Sequence, residues 1–166
     1  MPIAPGIYFV ENVMSGTSLD IFTEDDQRVV GSAHHGGESQ QWEFGKLGAG
    51  WFIRNVNNKH YVTIEKGLGN ALPTGENEYP AAWVLTGEPT RGTNIFWIRW
   101  PKTRYALNLS GGIPVNGTKV VLYLRDETIP LLARPGLSMA TTTTITTVTT
   151  TTTRPILLET EHSSKA

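Results

Sequence analysis

The sequence predicts an all-β chain, on three observations. Apolar residues come in short runs rich in Val, Ile, Phe, Tyr and Trp; Gly, Asn, Asp and Pro separate the runs at spacings of about ten residues; and no helical periodicity runs through the first 134 residues. The runs fall at residues 7–10, 18–22, 28–30, 41–44, 51–53, 61–64, 82–85, 95–100, 105–109 and 119–124. Each has the length of a strand and a β-branched or aromatic composition that fits a pleated, half-buried surface.

Self-similarity narrows the class. Gly6–Asn12 aligns with Gly50–Asn55 and then with residues 94–99. The second element recurs as Leu19-Asp-Ile21, Val62-Thr-Ile64 and Leu107-Asn-Leu109, at offsets of 43 and 45 residues. The third recurs at Val29-Val30 and Val120-Val121, and the fourth at residues 40–44 and 81–85, with Trp42 and Trp83 at matching places. Four short strands repeated three times, about 43 residues per repeat, is the β-trefoil pattern. No single repeat buries its own apolar face, so three must close around a shared axis. Leu19, Ile21, Val30, Trp42, Phe52, Ile64, Trp83, Phe96 and Leu109 are the expected core.

Composition limits the partners. The chain has 166 residues, 14 Lys and Arg against 15 Asp and Glu, and a net charge of −1. That balance argues against nucleic-acid binding, which needs clustered excess cations. No apolar run reaches the ~18 residues needed to span a bilayer, so membrane insertion is not expected. With no cysteine, disulfides, zinc–thiolate sites and thiol catalysis are excluded. No signal peptide is seen at the N-terminus, so the cytoplasm is the default compartment and the sequons at Asn108 and Asn116 lose their meaning. Neither a nucleophile elbow, a phosphate loop nor a metal-ligand spacing occurs, and no cofactor or enzymatic activity is expected.

The composition changes near residue 135. Residues 141–153 hold 11 Thr in 13 positions, a tract that offers only Ile145 and Val148 as apolar anchors. Ordering costs roughly 1–2 kcal/mol of backbone entropy per residue, so residues 135–166 are expected to form a disordered tail beside a domain at 5–134. Threonine's β propensity leaves one rival: part of the tract pairing with an open edge in the third repeat.

Gln40-Gln41-Trp42 matches the QxW motif of ricin B-like lectin domains. Residues 6–20 and 35–44, and residues 100–118 with Asn108 and the Gly111-Gly112 pair, are similar to mushroom members of that family. The resemblance covers about residues 5–125 and implies a carbohydrate-binding protein whose partners are glycans or glycoproteins. In that family an Asp after the second strand, an aromatic on the third and an Asn-Gln pair at the QxW hold the sugar hydroxyls and ring.

Lobe by lobe, the resemblance implies the following. In the first, Asp20 takes the carboxylate position, Ser32 stands where Trp is usual, Ser39 replaces Asn and Gln40 is retained. His34 and His35, in the connecting loop, are the candidates for a partial platform. In the second, Thr63 and Ala81 replace the polar groups and the site is lost. In the third, Asn108 and Tyr123 take the polar and aromatic positions. That lobe should end in another Asn-Gln-x-Trp but does not; residues 129–132 are the apolar substitute, with Pro130 denying a ladder bond. Weak, degenerate sites gain from linkage, which a homo-oligomer supplies. The alternative is a β-trefoil protease inhibitor, its partner a protease, acting through an exposed loop at residues 23–28 or 72–77.

Overall fold

Each repeat contributes four strands. The first holds β1 (Gly6–Asn12), β2 (Ser18–Phe22), β3 (Arg28–Ser32) and β4 (Gln41–Leu47); the second β5 (Gly50–Asn55), β6 (Tyr61–Ile64), β7 (Leu72–Asn77) and β8 (Val84–Gly87). The third holds β9 (Ile95–Arg99), β10 (Tyr105–Leu109), β11 (Thr118–Leu124) and β12 (Thr143–Thr147). The structure, a computed structural model, describes residues 3–22, 28–69, 72–87, 94–125 and 143–147.

Six strands close a ring through the antiparallel pairs β1–β4, β4–β5, β8–β9, β9–β12 and β12–β1, with a bridge from Trp51 to Trp83 joining β5 to β8. The hairpins β2–β3, β6–β7 and β10–β11 cover one end and meet through β11, which pairs with both β3 and β7. Each hairpin joins its ring strand at the same place, Glu11 opposite Ser18, Arg54 opposite Tyr61 and Arg99 opposite Ala106. The chain is a β-trefoil.

Alternation along the strands decides what the core contains. Tyr8 and Val10 on β1, Trp51 and Ile53 on β5, and Phe96 and Ile98 on β9 are buried at matching positions. Seven of the expected core residues are buried: Leu19, Ile21, Val30, Trp42, Trp83, Phe96 and Leu109. Phe52 is not, because Trp51 and Ile53 hold the inward register and Phe52 faces the other way, edge-on to Tyr61 at 5.5 Å. Ile64, at the end of the short β6, is only partly covered.

The two QxW-type tryptophans perform one structural task. Trp42 Nε1 donates to the Leu19 carbonyl at 3.0 Å, and Trp83 Nε1 donates to the Val62 carbonyl at 2.9 Å. Both rings are fully buried. Gly50 permits the Trp51–Trp83 bridge, since a Cβ there would meet the Trp83 carbonyl at 2.6 Å.

Two regions differ from expectation, and two others lie outside the described residues. Within the Thr-rich segment at 135–166, Thr143–Thr147 form β12. Thr143 lies opposite Phe96 and also opposite Asn12, while Trp42 lies opposite Tyr8 and Asn55. Thr143 therefore occupies the register of the missing third tryptophan, and backbone pairing with two open edges outweighs the tract's weak anchoring. Pairing of the tract, the rival possibility, prevails over those five residues. Residues 129–132, the expected substitute, lie outside the described residues. Finally, residues 72–77 are not an exposed loop but strand β7, and residues 23–27 of the other inhibitor loop lie outside the described residues.

Candidate functional site in the first lobe

Ser18, Asp20, Val30 and Ser32 share one face of the β2–β3 hairpin, because Ser18 pairs with Ser32 and Asp20 with Val30. The segment between β3 and β4 folds across that face and ends in a single 3-10 turn at Glu38–Gln40. Asp20 is consequently only 6% exposed.

Its carboxylate is held from three directions. Oδ1 accepts from the Ile21 N–H at 2.8 Å. Oδ2 accepts from Gln40 Nε2 and from His35 Nε2, both at 3.1 Å. Gln40 is itself fixed: its Nε2 also donates to the Ala33 carbonyl at 2.8 Å, and its Oε1 accepts from the N–H groups of His35 and Gly36 at 2.8 and 3.1 Å. The Gly37 N–H donates to His35 Nδ1 at 3.1 Å, which makes that nitrogen the acceptor and places the ring proton on Nε2, toward Asp20.

The two histidines part company. His35 covers Asp20 while its own side chain stays 52% exposed. His34, the other ring expected in the platform, turns to Ser18, whose Oγ lies 2.9 Å from its Nδ1, and its ring meets Phe9 edge-on at 4.8 Å. The structure thus brings Asp20 and Gln40 together and sets His35 against the carboxylate, with His34 bonded to Ser18. Ser39 is half-buried, its carbonyl accepting from Asn55 Nδ2 of the next lobe at 2.8 Å. A carboxylate offers about four lone-pair positions; with two donors already on Oδ2, the open acceptor direction is on Oδ1. The two-oxygen grip on vicinal hydroxyls expected of Asp20 is reduced to one oxygen.

In the third lobe Asn108 and Tyr123 lie on one face, diagonal across β10–β11. Asn108 is 2% exposed and lines a small pocket of about 30 Å³ beside Asn12, Thr17 and Gly31. Asn108 is covered much as Asp20 is in the first lobe, and Tyr123 is the more accessible of the two. In the second lobe Thr63 and Ala81 provide no counterpart to Asp20 and Gln40. Its own polar cluster, absent from the sequence reading, is Glu76 with Asn58 and His60; Asn58 Nδ2 donates to Glu76 Oε2 and His60 Nδ1 lies 3.8 Å from it. Among the described residues no group of three or more His, Cys, Asp or Glu side chains is placed to hold a metal ion.

Residues 38–123 match the sequence profile of the ricin-type β-trefoil lectin domain-like family. Comparison with the curated proteins finds no match. Among solved structures, the chain is similar to the Macrolepiota procera ricin B-like lectin in complex with lactose, at 29% identity and a TM-score of 0.77 over 89% of this chain and 100% of that one. It is also similar to the Rhizoctonia solani agglutinin, at 20% identity and 0.74 over 89% and 99%. A proteinase inhibitor from Coprinopsis cinerea shares the fold at 17% identity and 0.64 over 89% and 100%.

Proposed function

From the premise that the chain belongs to the ricin-type β-trefoil lectin-like family, we propose that it binds carbohydrate and that the first lobe is its sugar site. Asp20 accepts a sugar hydroxyl at Oδ1, Gln40 and His35 hold the carboxylate in place, and the exposed rings of His34 and His35 flank the sugar. Partners are then glycans or glycoproteins, and no catalysis is involved. The observation that carries the reading is the anchoring of Asp20 by Ile21, Gln40 and His35. An acceptor already oriented before the ligand arrives loses little entropy on binding.

Lactose, the sugar held by the Macrolepiota procera lectin, is the first ligand to titrate. Asp20→Ala should weaken binding by at least ~1.5 kcal/mol, the scale of a hydrogen bond to a charged group. Because Asp20 is buried and bonded, the variant also loses stability. Asp20→Asn, which keeps the shape and removes the charge, separates the two effects. Equal affinity of wild type and both variants in calorimetry overturns the assignment.

A further inference from the structure

The turn joining the ring strand to its hairpin is built alike in the first two lobes and differently in the third. Asn12 N–H donates to the Thr17 carbonyl at 2.8 Å, Asn55 N–H to His60 at 2.8 Å and Trp100 N–H to Tyr105 at 2.9 Å, so Asn12, Asn55 and Trp100 are equivalent. The two asparagines use their side chains to close the turn: Asn12 Oδ1 accepts from the N–H groups of Met14 and Ser15, and Asn55 Oδ1 from that of Asn57. Trp100 has no such group. Thr103 takes over, its Oγ1 donating to the Trp100 carbonyl at 3.0 Å and accepting from the Tyr105 N–H at 3.1 Å. An indole, half-exposed and edge-on to Trp83 at 5.1 Å, thereby stands where the other lobes spend an amide on the turn.

Around that indole lie three cations. Val84, Arg99, Trp100, Lys102, Thr103 and Arg104 line an open cleft of about 530 Å³, within the ~300–1,000 Å³ usual for small-ligand sites. Arg99 is steered by its Nη2 bond to the Thr103 carbonyl at 2.9 Å. The loop is pinned from behind by the Arg125 N–H on the Arg104 carbonyl, also at 2.9 Å. Among the described residues neither Lys102 nor Arg104 has a carboxylate at ion-pair distance. Lys102 and Arg104 are therefore two cations in one cleft, beside Arg99, that gain a counter-charge when an anion enters.

We infer that this third-lobe cleft binds a sulfated or carboxylated saccharide, the sugar ring against Trp100 and the anionic group between Arg99, Lys102 and Arg104. Neither feature suffices alone: cations take any anion, while an indole face takes a sugar ring. Their union in one cleft selects an acidic sugar. The inference rests on the carbohydrate-binding reading for the nature of the ring, but not on Asp20, which belongs to another lobe.

The experiment compares lactose, lactose carrying one sulfate on its galactose, and inorganic sulfate, each titrated by calorimetry into wild type, Asp20→Ala and the double variant Lys102→Ala/Arg104→Ala. Lys102 and Arg104 are exposed, so the double variant should fold; an unchanged melting midpoint checks this, and Arg104→Glu is the single-site companion. The sulfated sugar should bind wild type about tenfold tighter than lactose. That gain should fall away at an ionic strength of about 0.5 M and be absent from the double variant, which still binds lactose. In Asp20→Ala the sulfated sugar should still bind. Equal affinity for the two sugars, or a gain that survives in the double variant, overturns the inference and leaves the first-lobe site standing. Inorganic sulfate matching the sulfated sugar shows an anion site only and overturns the saccharide assignment. Binding of the sulfated sugar without any of lactose overturns the first-lobe reading and supports this one.

Discussion

The first and second lobes share a frame and differ in everything attached to it. In each, a buried tryptophan, Trp42 on the fourth strand of one and Trp83 just before that of the other, donates its indole N–H to a carbonyl of the second strand, Leu19 and Val62 respectively. Around that common bond the first lobe sets Asp20, Gln40 and a histidine-bearing crossing segment; the second sets Thr63 and Ala81. The carboxylates differ as well. Asp20 is buried where three donors meet it. Glu76 pairs with Val62 at the position held by Gly31 in the first lobe and Leu122 in the third, and among the described residues its Oε1 has no hydrogen-bond partner. The tryptophan of the QxW motif thus serves the fold, while the glutamine serves the carboxylate. A lobe can lose the second without losing the first.

The third lobe has neither the tryptophan nor the glutamine, and removing what replaces them should have the largest effect. β12 makes five register pairs with β1 and two with β9, each backbone bond contributing roughly 1 kcal/mol. Deleting residues 143–166 should therefore cost at least about 5 kcal/mol, a fall in melting midpoint of ~10 °C or more. An unchanged midpoint would show that the first and second lobes hold the ring without a third fourth strand.

Next come the tryptophans themselves. Trp42→Ala and Trp83→Ala should each cost about 3–5 kcal/mol in chemical denaturation, and by similar amounts, since both rings are fully buried with matching bonds. A Trp83 variant much milder than its counterpart would break the claim that the frame is common to both lobes.

Glu76 offers a pH test confined to the second lobe. Burial pushes its carboxyl up from 4.5 to about 7, with the Asn58 hydrogen bond opposing the shift. The folded chain then keeps a proton that the unfolded chain has released, so stability declines as pH rises from about 4.5 to about 7. Glu76→Gln should remove the decline, raising stability above pH ~7 by up to about 3 kcal/mol and changing little near pH ~4. Parallel pH profiles for wild type and variant would mean the carboxyl is not buried as described.

The smallest effect sharpens the division of labour at the QxW. Gln40→Ala leaves the Ala33 carbonyl, the N–H groups of His35 and Gly36, and Asp20 short of a partner. It should cost about 1–3 kcal/mol in stability and weaken lactose binding with it. Ala81→Gln in the second lobe should stay within about 0.5 kcal/mol of wild type and confer no binding, because Thr63, not a carboxylate, stands at the position of Asp20. A gain of binding there would separate recognition from the carboxylate altogether.

Much of this was legible before any coordinates. The offsets of 43 and 45 residues, carrying β-branched and aromatic runs, determined the trefoil, because one repeat cannot bury its own apolar face and three can. The pairing of Asp20 with Gln40 was implied by the resemblance to ricin B-like lectins. Strand facing was less secure: in a run such as Gly50–Asn55, where nearly every residue is apolar, period-two alternation does not say whether Trp51 or Phe52 turns inward. His35 against Asp20 depends on the path of a crossing segment with its own glycines, and adjacent histidines look alike in one dimension.

What the sequence by itself determined is the repeat, the class of fold and the residues able to meet a sugar. Those depend on periodicity and on chemistry that each residue carries alone. The tertiary structure decided which of them are available. It buried Asn108, turned His34 to Ser18, gathered three cations around Trp100 and recruited Thr143–Thr147 into the ring. Burial, partner choice and edge pairing all arise between segments distant in the chain. A threonine tract has no fixed preference until two unpaired strand edges stand open beside it.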